Sequence, residues 1–213
     1  MASSACGNGS ASGRIAGGTL DPQRLATAGQ LTIDAFPPPW RATQSGGDAS
    51  GFSSCPAVAT AFASQRVTRA TSPQFANDSG EQVQESDGVY LATADARRVM
   101  AMVRTNEFSN CLQAVIGGAL QRTLAPNAAG GAVVTTVAPL QVPRRGAERN
   151  ARRVVVTLNS STPPVSEYVD FDVVQEDRVV VTLLAERRGG PPTVDRDQLL
   201  GILVSRIRSA NAA

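Results

Sequence analysis

The sequence predicts an α+β domain in which helices pack on a twisted antiparallel sheet, and three observations carry that expectation. From Gly131 onward the apolar residues recur with a period of two through Ala132–Val142, Arg152–Leu158, Val165–Val174 and Arg178–Glu186, which is the alternation of strands. Earlier, two β-rich segments, Arg66–Ala76 and Glu81–Leu91, flank Asn77-Asp78-Ser79-Gly80, a set of turn residues that makes the pair a hairpin. Between these groups lie two segments with the 3/4 apolar spacing of helices. Four consecutive strands joined by turn signals pair antiparallel, and 213 residues suit one domain, or at most two small ones.

The elements follow in order. Residues 1–20 are nearly all Ala, Ser and Gly with an isolated Arg14 and Ile15, a flexible tether that cannot join a core; residues 21–213 form the folded domain. Leu31–Phe36 runs into Pro37-Pro38-Pro39, which stops a helix, so a single turn leads to Trp40. That residue begins a short strand ending at Thr43 and plugs the core. Ser45–Ser50 is a Gly-rich loop, and Cys55 opens a short helix. Thr93 caps a helix with Asp95 in its first turn and Val99, Met100 and Val103 on one face. A longer helix over Asn106–Leu124 presents Phe108, Cys111, Leu112, Val115, Ile116 and Leu120, and ends before Pro126.

In the strand Val165–Val174, the odd positions Val165, Glu167, Val169, Phe171 and Val173 share one face, and Ser166, Tyr168, Asp170 and Asp172 share the other, which reads as solvated. Gln175-Glu176-Asp177 makes the following turn, after which Val179, Val181 and Leu183 extend the apolar face. Beyond Gly189-Gly190-Pro191-Pro192, a C-terminal helix starting near Thr193 or Asp195 buries Leu199, Leu200, Leu203 and Ile207.

Composition narrows function. Histidine is absent, which removes the usual partner of a catalytic Ser or Cys, the commonest metal ligand and the ordinary proton shuttle. All 20 basic residues are Arg, against 18 acids, for a net charge of +2; a nucleic-acid binder concentrates a larger excess. No Cys-x-x-Cys motif or other metal-ligand set is present, so neither a metal nor a cofactor is expected. No apolar run approaches the roughly 20 residues that cross a bilayer.

Three cysteines divide by context. Ser3-Ser4-Ala5-Cys6-Gly7 places Cys6 after small residues and before a Gly/Ser linker, in the manner of a bacterial lipobox whose cysteine is acylated; the alternative is an exposed thiol in the tail. The remaining pair, Cys55 and Cys111, suggests one disulfide if the chain is exported, and two buried thiols if it is cytosolic. A bridge closing a loop of about 55 residues stabilises by roughly 4 kcal/mol in the loop-entropy model.

The succession of Cys6, Leu-Thr-Ile-Asp-Ala-Phe-Pro-Pro-Pro-Trp at 31–40, Cys55, Gly88-Val89-Tyr90-Leu91, Ala94-Asp95-Ala96-Arg97, Asn110-Cys111-Leu112, Tyr168-Val169-Asp170-Phe171-Asp172-Val173-Val174 and the closing Leu199-Leu200 helix with Arg206 resembles actinobacterial secreted lipoproteins of the sensor-domain type. These are similar to the extracellular sensor module of mycobacterial receptor serine/threonine kinases and, more distantly, to PsbP-like mycobacterial lipoproteins. The resemblance covers about residues 25–210. It implies a non-enzymatic binding or accessory domain at the outer face of the membrane, and it supplies no catalytic residues.

Candidate sites follow from these readings. Cys6 is the lipid-attachment residue. Arg144, Arg145, Arg149, Arg152 and Arg153 cluster around the segment Pro143–Asn150 and are candidates for contact with an anionic lipid surface; a solvated hairpin loop is the alternative. Val99, Met102, Phe108 and Val115 line a candidate apolar cleft for a small or lipidic ligand, or simply fill the core. The expected function is a monomeric, membrane-tethered extracytoplasmic lipoprotein that binds a small molecule, a lipid or a cell-envelope protein. A structural interaction domain, and a His-independent enzyme using Glu167, Tyr168, Asp170 and Asp172, are the alternatives.

Overall fold

The computed structural model describes residues 21–43, 55–124, 133–159 and 164–212. Cys6, the tether and the Gly-rich loop lie outside the described residues. Among the described residues, eight strands form one antiparallel sheet, β1 (Arg41–Thr43), β2 (Arg66–Thr71), β3 (Gln74–Ala76), β4 (Gln82–Tyr90), β5 (Val133–Pro139), β6 (Glu148–Leu158), β7 (Val165–Glu176) and β8 (Val179–Arg188). Their order is β1-β3-β4-β8-β7-β6-β5, with β2 paired to β4 beside β3. The helices are α1 (Pro22–Ala28), α2 (Pro56–Ala63), α3 (Thr93–Val103), α4 (Asn106–Leu124) and α5 (Arg196–Ala212). The α+β architecture is therefore as the sequence predicts.

The helices cover both faces of the sheet, so two separate apolar clusters form. On one face Val58 of α2, Val99, Met100 and Val103 of α3, and Phe108 and Leu112 of α4 pack on Val154, Val156, Val169, Phe171, Val173 and Val180. On the other, Leu25 and Ala26 of α1 and Leu199, Leu200, Leu203 and Ile207 of α5 pack on Val83, Val89, Val174, Val179, Val181 and Leu183. The bridge between Cys55 and Cys111 forms, with Cα atoms 5.8 Å apart, inside the usual range. It ties the N-cap of α2 to α4.

Three expectations about the strands are corrected. The predicted strand Arg66–Ala76 is two strands, because Pro73 has no N–H to give the ladder and the chain breaks at Ser72-Pro73. The turn after β7 is Asp177-Arg178, with Asp177 at φ 51° and Glu176 paired to Val179. Gln175 and Glu176 thus remain in the strand, and the register moves by one residue. A one-residue move exchanges faces. Val169, Phe171 and Val173 consequently stand opposite Glu186, Leu184 and Thr182, while Val179, Val181 and Leu183 belong to the opposite cluster.

The third correction concerns Asp170 and Asp172. Both side chains are fully buried rather than solvated, because α5 crosses the face that they occupy.

Shorter signals also resolve. Asp21 caps α1 by accepting from Gln23 N at 3.0 Å, with Pro22 at the first helical position, the place where proline's missing donor is harmless. The N-cap of α3 is Ala92, not Thr93; the Asp95 carboxylate reaches back to Ala92 N at 3.0 Å. Asp195 caps α5 by accepting from Gln198 N at 2.9 Å. Trp40 is half-buried, its ring centre 5.0 Å from that of Phe36 with the planes tilted by 34°, one position ahead of β1.

Candidate functional site

Several of the chain's basic residues meet where β6 begins and α5 starts. Alternation along β6 sends Arg149 and Arg153 to the α5 face, where Arg153 is directly opposite Asp170 on β7. Its Nε and Nη2 donate to the two Asp170 oxygens at 2.6 and 2.8 Å, the parallel two-bond geometry that makes such pairs strong. Arg149 donates from Nε to Asp172 Oδ1 at 2.8 Å and from Nη1 to Asp197 of α5. Arg196, at the first turn of α5, spans both aspartates, reaching Asp170 Oδ2 at 3.1 Å and also pairing with Asp172. The Arg149 side chain is 1% exposed and both aspartates 0%.

Burial raises the Asp172 carboxyl above the usual carboxylate range, and the charges of Arg196 and Arg149 oppose that shift. Three guanidiniums around two carboxylates compensate one another's desolvation, which is the condition for keeping charges inside a core. This cluster locks α5 to the sheet.

Arg152 points the other way. Its Nη2 donates to Val103 O at 3.1 Å, and its guanidinium lies 6.0 Å from the Phe108 ring centre. The five arginines clustered between positions 144 and 153 therefore serve three purposes. Arg149 and Arg153 hold α5, and Arg152 ties the end of α3 to β6. Arg144 and Arg145 are the two left on the loop.

Arg144 lines two open clefts, and Arg145 lines the second of them. The first, about 460 Å³, is lined by Arg104, Val142, Arg144, Ala147, Glu148 and Arg149. The second, about 410 Å³, is bounded by Arg144, Arg145, Gly146, Gly201, Ser205 and Arg208 among others. Arg104 pairs with Glu148, and Arg208 with Glu176 at 2.9 and 3.0 Å. Arg144 instead donates to the Ala147 carbonyl at 3.2 and 2.7 Å, and Arg145 to the Asp197 carbonyl at 3.4 Å. Their charges thus meet backbone oxygens, leaving positive character facing the clefts.

Gly146 shapes this loop. It adopts φ +64°, and a Cβ there would stand 2.4 Å from the Gln175 carbonyl oxygen. Only glycine fits that conformation and that close approach. The sequence points to the Arg144–Arg145 pair but not to Arg104 or Arg208, which arrive from α3's C-cap and α5.

The apolar candidates lie elsewhere. Val99 and Phe108 are buried, and Met102 and Val115 half-buried, in or against the cluster beneath α3 and α4. Phe108 sits 5.5 Å from Phe171 and 6.2 Å from Phe62, ring centre to ring centre. On the same face, Glu167 accepts from Arg188 Nε at 3.1 Å.

No family model matches the chain, and no curated protein matches it. Among solved structures, it is similar to the extracellular domain of PknH from Mycobacterium tuberculosis, at 11% identity and a TM-score of 0.48, covering 89% of this chain and 97% of that one. It is also similar to an uncharacterised protein of Mycobacterium smegmatis, the Rv0999 ortholog, at 9% identity and a TM-score of 0.43, over 90% and 97% of the respective chains.

Proposed function

We propose that this chain is a non-enzymatic, membrane-tethered extracytoplasmic domain that binds an anionic ligand, with lipid head groups as the source, between Arg144 and Arg145. The observation that carries this reading is the pair of clefts flanking these arginines, whose guanidiniums are offset by carbonyls rather than carboxylates. Two further features support it. A disulfide between Cys55 and Cys111 suits an oxidising compartment, and the small residues before Cys6 and the Gly/Ser linker after it suit a lipid anchor.

The three acids that motivated a carboxylate enzyme are otherwise occupied. Asp170 and Asp172 are buried in ion pairs under α5, and Glu167 is paired with Arg188. Carboxyl groups held this way have no open position for a substrate.

Vesicle co-sedimentation tests the proposal. The full chain should bind vesicles containing anionic phosphatidylglycerol at low salt and release them as salt rises. At about 1 kcal/mol per arginine near an anionic surface, the Arg144→Gln/Arg145→Gln variant should bind about 30-fold more weakly. Arg149 and Arg153 are left intact because the ion cluster needs them. Equal binding by both forms, or equal binding to zwitterionic vesicles, rejects the assignment.

A further inference from the structure

A second cluster of buried acids lies on β4, two strands from the ion cluster of β7 across β8, and neither the tether nor the clefts use it. Glu85 and Asp87 are alternate residues of β4, so both point to the α1–α5 face, about 7 Å apart along the strand. They are 0% and 2% exposed. Each has one oxygen engaged by a backbone amide: Glu85 Oε2 accepts from Leu31 N at 3.3 Å, and Asp87 Oδ1 from Ala70 N at 3.2 Å. Glu85 Oε1 and Asp87 Oδ2 are buried without a hydrogen-bond partner.

Another buried acid of the same region shows the contrast. Glu81 is 1% exposed, yet its oxygens accept from Thr193 N, Thr193 Oγ1 and Val194 N at 2.5, 3.0 and 2.8 Å. That is how this fold accommodates a buried carboxylate. Glu85 and Asp87 lack such a set.

What covers them is the segment from α1 to Phe36. Gly29 presses so closely on Asp87 that a Cβ would lie 2.3 Å from Oδ2. Leu25, Ala26, Leu31 and Phe36 complete the lid as part of the apolar cluster. Arg69 of β2 acts on Asp87 and lowers its pKa, and Arg206 of α5 donates to Gln30 O at 3.0 Å and Thr32 Oγ1 at 3.4 Å on the covering segment. From β8, the residues opposite the pair are Leu183 and Val181, and beyond Leu183 the strand β7 places Asp172, paired with Arg149 and Arg196, in line with Glu85. The exposed α1 side chains Gln23 and Arg24 face away.

We propose that residues 21–36 form a proton-operated latch, closed over Glu85 and Asp87 when both carboxyls are protonated and loosened when they release their protons to solvent. Two ionised carboxylates in this site would each carry an unsolvated oxygen and repel one another, and the least costly relief is to lift the seven-residue α1 and admit water. Burial, reinforced by Asp87, raises the Glu85 carboxyl well above its usual range, and burial pushes Asp87 up to about 8. The sign follows from linkage: a carboxyl whose folded pKa exceeds its unfolded value stabilises fully below the latter, and that stability is lost as pH rises toward the former. The window runs from about pH 4 to about pH 8 for Asp87.

Hydrogen exchange by mass spectrometry on the full chain, corrected for intrinsic rates, tests the latch between pH 5.5 and 8.5. Protection over residues 22–36 should fall at least tenfold across that range, while α4 stays constant. The Glu85→Gln/Asp87→Asn variant, which imitates the neutral pair, should show a flat profile. A flat profile in the unsubstituted chain, or an undiminished fall in the variant, overturns the proposal. If the variant does not fold, carboxyl carbon NMR of the unsubstituted chain decides. Either resonance titrating above pH 6 supports the latch, and both titrating below it refutes it.

Discussion

Removing Arg149 should unseat α5, and the size and pH dependence of the loss can be worked from the ion cluster. Arg149→Gln deletes the two contacts from the guanidinium to Asp172, at 2.8 and 2.7 Å, together with its bond to Asp197. Asp172 keeps Arg196 alone and cannot recruit water, since it is 0% exposed. Breaking a buried pair by removing one partner costs about 3 to 5 kcal/mol. For a chain of this length, that lowers Tm by roughly 6 to 20 °C.

The pH dependence separates this mechanism from lost packing. The Asp172 carboxyl already sits above its usual range through burial, with Arg196 and Arg149 pulling it back. Its folded pKa exceeds its unfolded one, so it stabilises below the unfolded value and loses that contribution as pH rises. Without Arg149 the carboxyl becomes a weaker acid still, so the penalty should be larger at pH 7 than at pH 4.5, by about 1.4 kcal/mol for each further tenfold loss of acidity. Urea denaturation at both pH values, with Arg144→Gln as the exposed control changing stability by no more than about 0.5 kcal/mol, is the assay. A loss below about 1 kcal/mol at pH 7, or the same loss at both pH values, would refute the reasoning.

Two further substitutions probe other parts of the frame. Cys55→Ser/Cys111→Ser opens a link between residues 56 apart in sequence and should cost about 2 to 5 kcal/mol by chemical denaturation; an unchanged midpoint would deny the bridge a stabilising role. Gly146→Ala places a Cβ against the Gln175 carbonyl at a positive φ and should cost about 1 to 3 kcal/mol. It should also weaken vesicle binding by displacing Arg144 and Arg145, and a variant with native Tm and native binding would show that the loop tolerates the change.

Much of this architecture is legible in the residues. The period-two segments that form β6, β7 and β8, and the 3/4 spacing of Phe108, Cys111, Leu112 and Val115 on α4, mark their elements because each apolar set has one face to bury. Parity identifies the disulfide partners once Cys6 is assigned to the tail. What escapes depends on what lies opposite. The Gln-Val-Gln-Glu-Ser-Asp run of β4 has acids where a buried face carries apolar residues, so nothing local announces that α1 seals Glu85 and Asp87. The α1 helix itself is marked only by Asp21-Pro22, a cap signal shorter than the periodicity window. The slip at Asp177 has the same root. Gln175 and Glu176 read as turn residues by type, yet pairing of Glu176 with Val179 holds them in the ladder, and one position decides which face every later residue serves.

Placing one apolar cluster on each side of a single sheet also bears on how such a chain can change over time. Val173 and Val174 are neighbours in sequence but belong to different clusters, so the sheet is a partition through which β7 and β8 feed both sides by turns. Substitutions on α3 and α4 have no shared partners with substitutions on α1 and α5, and their effects on stability should add. Drift can therefore remodel the layer bearing the disulfide while the layer bearing the acid pair and the ion cluster stays intact, and the reverse. Coupling between the two layers runs through the central strands, where a residue cannot alter its own face without moving its neighbour's.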